Sequence, residues 1–411
     1  MKLTRRDVLS TASSGAALAT LAPGLTIGTA SAATTRDLLV VIYLRGGADG
    51  MQVIAPAGDS NYIGNRPGIR VQTAGNTPGI GVGTMDGVDM YFHPNLTDLK
   101  SLYDEKKLAV VHAVGLDQNI RSHFECQELM ELGASQTEAA PLDGWLARHI
   151  NLLGGTRAPL STVSISSNNP NSLHGYTGAV AIANTAAFNI SGGTTNTTII
   201  RALNAGATAY EKTSAQTLDS IDQVQTAVRN TPADTTNYGY TGGGLTTTFR
   251  SLAALVRMNL GVEVAHIDMG GWDMHDGLVG EMNTRTSDIS RNLSAFWREL
   301  GATQQTKTTI VTMTEFGRRF RENASGGTDH GSASFMLVLG GAVNGGKLYG
   351  TWPGLAASQL NNGDLKVTTD YRRVLSEIVA KRQGATQISK LFPTVKYDPM
   401  GIVTGDTVGV G

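Results

Sequence analysis

The sequence predicts an α/β fold, a doubly wound and mostly parallel sheet with helices on both faces. Three observations carry that prediction. Apolar, β-branched runs recur along the 411 residues, segments with helical periodicity separate them, and the runs are continuous rather than alternating. A strand that is apolar at every position has both faces covered, as in parallel sheets. Strands alternating with helices then build one α/β domain.

The chain opens MKLTRRDVLSTASSGAALATLAPGLTIGTASA. Arg5 and Arg6 precede a mild apolar stretch, and Ala30-Ser31-Ala32 makes a small-residue cleavage site. The apolar stretch is too short and too mild to span a bilayer. Residues 1–32 therefore read as a twin-arginine signal peptide, and 33–411 as a single mature domain. This predicts a partner, the twin-arginine translocase, and a periplasmic or secreted location. Loss of residues 1–32 removes three cations and one anion, taking the formal charge from −1 to −3. Nothing in that balance calls for nucleic acid, and no later stretch suits a membrane. Cys126 is the only cysteine, so stability must come from the core and not from an internal disulfide.

In order, the strand candidates are DLLVVIYL (37–44), KLAVVHAV (107–114), LSTVSIS (160–166), VEVAHID (262–268), TTIVTMT (308–314) and SFMLVLG (334–340). Helix candidates are 123–133, 197–229, 246–259, 285–300 and 371–383. In the fourth, Ile289, Leu293, Phe296, Trp297 and Leu300 recur at helical spacing and mark one apolar face. Residues 230–245 are a turn-rich loop, and 169–245 reads as a possible cap insertion over the sheet.

Ligands of such sheets bind at the carboxyl ends of the strands, so the residues that follow each strand come next. Asp49 lies in RGGADG after the first strand, either an ordinary Asp-Gly turn or a carboxylate facing inward. Ser122 stands where the helix after the second strand begins, as an N-cap or as an exposed nucleophile at the positive helix end. Asp273, His275 and Asp276 crowd MGGWDMHDG, and Asp-x-His offers oxygen and nitrogen to a divalent ion such as zinc. Glu315 follows the fifth strand in EFGRR, and Asp329-His330 precedes the sixth in GTDHG. An aspartate beside a metal-bound histidine orients the ring or ligates directly. If the strands are neighbours these donors converge, and two ions about 4 Å apart would clamp an in-line displacement.

LRGGADG, RSHFE, GGWDMHDG, TEFGRR and GTDHG, with KLYGTWPGL and LKVTTDYR in the tail, resemble the bacterial family catalogued as domain of unknown function 1501. That family is similar to the alkaline phosphatase and sulfatase superfamily, so an alkaline-phosphatase-like fold is implied. The resemblance implies metal ligation by Asp49, Asp273, His275 and His330, with Glu315 and Asp329 completing the set and one or two divalent ions, zinc foremost. It implies Ser122 as nucleophile; Arg121, next to it in sequence, either orients the substrate oxygens or makes a surface ion pair. Phe316 stands where the superfamily has a histidine, a gap that His123 could fill; in a second alignment Asp329-His330 is itself the Asp-His pair. The function implied is an exported metal-dependent hydrolase of phosphate or sulfate esters, acting on a small anionic ester or glycan. The alternative is a non-enzymatic exported protein with a degraded site, binding a surface glycan or assisting another exported protein.

The other histidines and the tryptophans have plainer readings. His93 caps or packs, and His112 and His266 sit inside strands as core residues. Trp145, Trp272, Trp297 and Trp352 read as core, and Trp272, next to the ligand loop, could also stack on substrate. Arg318, beside Glu315, either grips an anionic ester or makes a surface ion pair.

Overall fold

The computed structural model describes residues 36–116, 120–138, 140–407 and 409–410. The signal-peptide expectation for residues 1–32 lies outside the described residues. The strands are β1 (Leu38–Leu44), β2 (Ile54–Ala55), β3 (Ile80–Met85), β4 (Val88–Phe92), β5 (Leu108–Gly115), β6 (Thr162–Ser164), β7 (Val180–Ala181), β8 (Val264–Met269), β9 (Thr308–Met313), β10 (Ser334–Gly340), β11 (Lys347–Tyr349) and β12 (Thr369–Asp370). Nine of them form one sheet in the order β11-β5-β10-β9-β1-β8-β6-β7, with β12 beside β5. β2, β4 and β3 make a small antiparallel sheet.

β1 sits near the centre, parallel to β8 on one side and β9 on the other. β10 alone runs against its neighbours, antiparallel to both β9 and β5. That reversal matters for the site. The connection between β9 and β10 leaves and re-enters the sheet on one edge, the carboxyl edge where the loops after β1 and β8 also emerge. Continuous apolar runs carry no mark of direction, so the reversal was not legible in the sequence.

Helices cover both faces. Those used below are α1 (Gly50–Val53), α2 (His123–Leu132), α3 (Ala209–Asn230), α4 (Gly243–Arg257), α5 (Leu278–Gln305) and α6 (Tyr371–Gln383). Alternate residues of β1 face different cores. Leu38, Val40, Ile42 and Leu44 join the core that holds Phe249 and Leu252 of α4 and Ile289, Leu293 and Phe296 of α5. Leu39, Val41 and Tyr43 join the core that holds Cys126 and Met130 of α2 and Val374, Leu375 and Ile378 of α6. Each such burial contributes roughly 1.5–3 kcal/mol, which is how the chain does without a disulfide; Cys126 is a buried free thiol.

Two expected helices differ in extent. The 197–229 stretch is two helices, Gly193–Leu203 and α3, because Thr208 starts a new one through a capping box with Glu211. The 285–300 helix extends over Leu278–Gln305 with a break at Gly301, whose φ is +69°. Within 169–245, β7 extends the main sheet beside β6, and Leu218, Ile221 and Val224 of α3 are buried. The small sheet was missed: its longest strand, IGVGTM, carries glycines that read as loop.

Candidate metal centre

The site is organised by a buried arginine and two glycines. Arg318, in the β9–β10 loop, is 1% exposed. Its Nε donates to Gly47 O at 2.7 Å and its Nη1 to Thr328 O at 2.9 Å. Its Nη2 donates to Gly46 O, to Trp272 O at 3.2 Å and to Asp273 Oδ1 at 2.5 Å. One side chain thus ties the loop after β1 to the loop after β8 and to the loop before β10. The glycines make this possible. Gly46 has φ +120°, and a Cβ there would lie 2.5 Å from Asp273 N; Gly47 has φ +67°, and a Cβ there would lie 2.5 Å from the Phe316 ring.

Above this clamp three imidazoles gather around the Asp273 carboxylate. His123 is the first residue of α2, whose N-cap is Ser122. Its Nε2 lies 3.4 Å from Asp273 Oδ2, is hidden from solvent and, among the described residues, makes no hydrogen bond. His330 Nε2 is 3.3 Å from Asp273 Oδ1. His275 Nε2 is 3.0 Å from the same oxygen and 2.9 Å from His330 Nε2. Each ring has an oxygen at its other nitrogen. His123 Nδ1 meets Glu315 Oε1 at 2.8 Å, His330 Nδ1 meets Arg121 O at 2.8 Å, and His275 Nδ1 meets Asp329 Oδ1 at 3.2 Å. Among the described residues, the donor atoms of His123, Asp273 and His330 all lie within 4.8 Å of one another. Two imidazoles and a carboxylate, with a third imidazole adjoining, fit zinc or a similar divalent ion.

The expected residues divide into those in the group and those around it. Asp273, His275 and His330 come together, and His123 joins them. Glu315 was expected to ligate; it is fully buried and supports instead. Its Oε1 takes hydrogen bonds from Gln127 Nε2 at 2.8 Å and Gly46 N at 2.9 Å besides that of His123. Asp329 likewise stands behind His275, not behind its neighbour His330. Asp49 was expected as a ligand and stands apart from the group. Its buried carboxylate pairs with Arg66 Nη1 at 2.8 Å and accepts from Thr328 Oγ1 at 3.1 Å and Met51 N at 3.1 Å, capping α1. With Asp49 and Glu315 so engaged, the described residues do not gather a second donor set. Ser122 is exposed, its Oγ 3.5 Å from Glu125 N. Arg121 was expected to hold substrate; its guanidinium instead pairs with buried Asp364 at 2.7 Å, and its carbonyl serves His330. Arg318, expected on an ester or in a surface pair, is buried, and its donors are engaged in the clamp described above. Phe316, in the place of the missing histidine, packs against His123 and His330 with ring centres 4.8 and 4.9 Å apart.

The charges follow from these contacts. Burial would raise the Asp273 carboxyl, but the bond and charge of Arg318, helped by His123 and His330, hold it down to about 2. The Glu315 hydrogen bond raises His123 above the usual imidazole value. Burial lowers His330. Burial pushes Glu315 up, yet its bonds from His123 and Gln127 prevail and leave it below the usual carboxylate range. A carboxylate held ionised by Arg318 therefore faces the Nε2 atoms and can serve a cation as a ligand.

Residues 106–389 match the profile of a family described as "Protein of unknown function (DUF1501)". No curated protein matches the chain. Among solved structures, similar folds include the zinc-complexed C-terminal periplasmic domain of EcEptC from Escherichia coli, at 9% identity over 75% of this chain and 74% of that one, TM-score 0.35. Others are the alkaline phosphatase of the Antarctic bacterium TAB5 (10%, 74% and 92%, TM-score 0.28) and the PsFucS1 sulfatase from Pseudoalteromonas sp. (9%, 90% and 73%, TM-score 0.35). Scores at this level carry no inference about the present chain.

Proposed function

This chain belongs to the DUF1501 family, and we propose that it is an exported hydrolase of phosphate or sulfate esters that works with a divalent metal ion, zinc by preference. One observation carries the reading. His123, His275 and His330 each set Nδ1 on an oxygen acceptor and turn Nε2 toward the Asp273 carboxylate. Metal-binding histidines show that arrangement, because the oxygen fixes the tautomer and the ring orientation.

His123, Asp273 and His330 would hold the ion, with His275 beside them. The chemistry a divalent ion would supply there is Lewis acidity, which would lower the pKa of an attacking hydroxyl and offset charge on the transferring group. Ser122 supplies the hydroxyl in this reading. It is exposed at the amino end of α2, next in sequence to His123, where the helix dipole favours a developing anion. Glu315 and the Arg121 carbonyl hold His123 and His330 in register, and Arg318 holds Asp273.

Elemental analysis with an ester screen tests the proposal. Purified protein should carry metal and turn over aryl phosphate or aryl sulfate. Asp273→Ala should lose both properties, and Ser122→Ala should keep the metal and lose turnover. A folded wild-type protein that binds no metal overturns the reading in favour of a non-enzymatic role. Full turnover in Ser122→Ala removes the serine from it.

A further inference from the structure

Beside the histidines lies a cleft of about 520 Å³, within the size range of small-molecule sites. Its walls come from the short helix Ser60–Asn65, from residues 319–323 just after the Arg318 clamp, and from residues 355–363. Asp329, which bonds His275, is part of its wall, so the cleft adjoins the metal centre. A second cavity, around His149 and Arg36, measures only about 130 Å³ and is below that size range.

The charged groups of the cleft are not equally engaged. Glu322 accepts from the backbone N–H groups of Gly68 and Ile69 at 2.9 and 3.0 Å. Asp329 accepts from Asn323 and faces His275, both at 3.2 Å. Arg319 leans on Asp364 at 3.5 Å and donates to Asn362 O at 3.2 Å. Arg321 makes a hydrogen bond only to the neutral Asn65 carboxamide, at 3.3 Å, and among the described residues it has no carboxylate partner. A guanidinium left with donors to spare, at the wall of a cleft that also holds Phe320 and Leu355, is suited to bidentate recognition of an anionic group.

We infer that this cleft is a second substrate subsite: it binds a further anionic group of a polyanionic ester, through Arg321 with Arg319 beside it, while the ester to be cut lies at the histidines. The inference rests on the hydrolase reading for the reacting end alone. The substrate class is an anionic polymer or oligosaccharide with at least two charged groups. Sulfate and phosphate share the required chemistry.

Titration calorimetry at low salt tests it. The probes are doubly sulfated and doubly phosphorylated disaccharides with their singly charged counterparts, so the two arms also separate the two anions. Wild type should bind a doubly charged probe more tightly than its single-charge counterpart. Metal-free Asp273→Ala should keep measurable affinity for the doubly charged probe. Arg321→Gln should weaken that binding about tenfold, the worth of one charge-assisted contact. Arg201→Gln, a distant surface change, should leave it alone. Equal affinity for one and two charges, or an unchanged constant in Arg321→Gln, overturns the subsite. Tight, Arg321-dependent binding without turnover supports the subsite and removes the hydrolase reading, so the two failures are distinguishable.

Discussion

Six of the eight histidines fall into two sets of three, and the contrast shows what makes an imidazole available to a cation. His112, His149 and His266 lie inside the protein, each at most 1% exposed. Among the described residues His266 has no hydrogen-bond partner at either ring nitrogen, His149 has only the Gln383 side chain beside it, and His112 is bound to backbone at both nitrogens, by Ile54 O at 2.9 Å and Ala113 N at 2.7 Å. Burial lowers all three, His112 and His266 to about 4 and His149 to about 3. His123, His275 and His330 stand at the carboxyl edge, partly open, each with an oxygen at Nδ1. The first set is neutral because it is dry. The second is anchored at Nδ1 and leaves Nε2 turned to the open edge, whereas His112, though anchored, has both nitrogens taken by backbone.

The largest test of that contrast removes the clamp under the second set. Arg318→Met leaves four carbonyls short of a donor and frees the Asp273 carboxylate. Asp273, whose side chain is 46% exposed, is screened by solvent and its pair contributes at most about 1 kcal/mol, so most of the cost comes from buried carbonyls left without a donor, about 1–3 kcal/mol in such cases. Urea unfolding should show a drop of about 3 kcal/mol, and metal affinity should fall with it. Unchanged stability and affinity would mean that the three loops hold their places without the arginine.

Next in size is the anchor itself. Glu315→Gln keeps the shape of the side chain and removes the charge behind His123. Changes to such supporting groups lower metal affinity about 10–100-fold, to be measured by chelator competition. In the metal-free protein the His123 imidazole should also titrate lower by NMR, since its hydrogen bond to Glu315 is the main cause of its raised value. An unaltered His123 titration would show that the Glu315 bond does not govern the His123 proton.

How far this was readable in advance follows from what each feature depends on. Asp273 and His275 were legible because a D-x-H segment follows a run of strand residues behind two glycines. His330 was legible as a histidine on a glycine-rich loop with little to pack against. The site also needs facts of assembly that no local pattern records. Glu315 looked like a ligand because its distance from α2 is set by tertiary packing, including the Cys126 thiol, which donates to Glu315 O at 2.7 Å. Asp49 looked free because its partner, Arg66, lies on a different segment and is itself wholly buried. Arg318 beside a site acid suggested substrate binding, whereas its five acceptors come from four other residues' carbonyls and Asp273. The strand runs were legible and their directions were not, and the antiparallel entry of β10 is what brings the GTDHG loop to the same edge as the rest.

The smallest effect sharpens the other half of the comparison. His266 lies in β8, 1% exposed, and is held neutral by burial down to about 4. In the unfolded chain an imidazole takes its proton near 6.5. Between those values the unfolded state binds more protons than the folded state, so stability is fully present above about 6.5 and is lost as pH falls through the window. Each dry histidine contributes at most about 1.4 kcal/mol per pH unit to that slope. His266→Leu should make the fall between pH 6.5 and 4 shallower by up to that amount, read from urea midpoints of metal-free protein so that metal-linked protons do not enter. The same replacement should leave chelator-competition affinity near wild type, because the acid nearest that ring is Asp268, at 3.9 Å, which is not one of the residues gathered at Asp273. A slope that stays as steep would mean that His266 takes up its proton within the folded protein, and dryness would no longer separate the interior histidines from those at the edge.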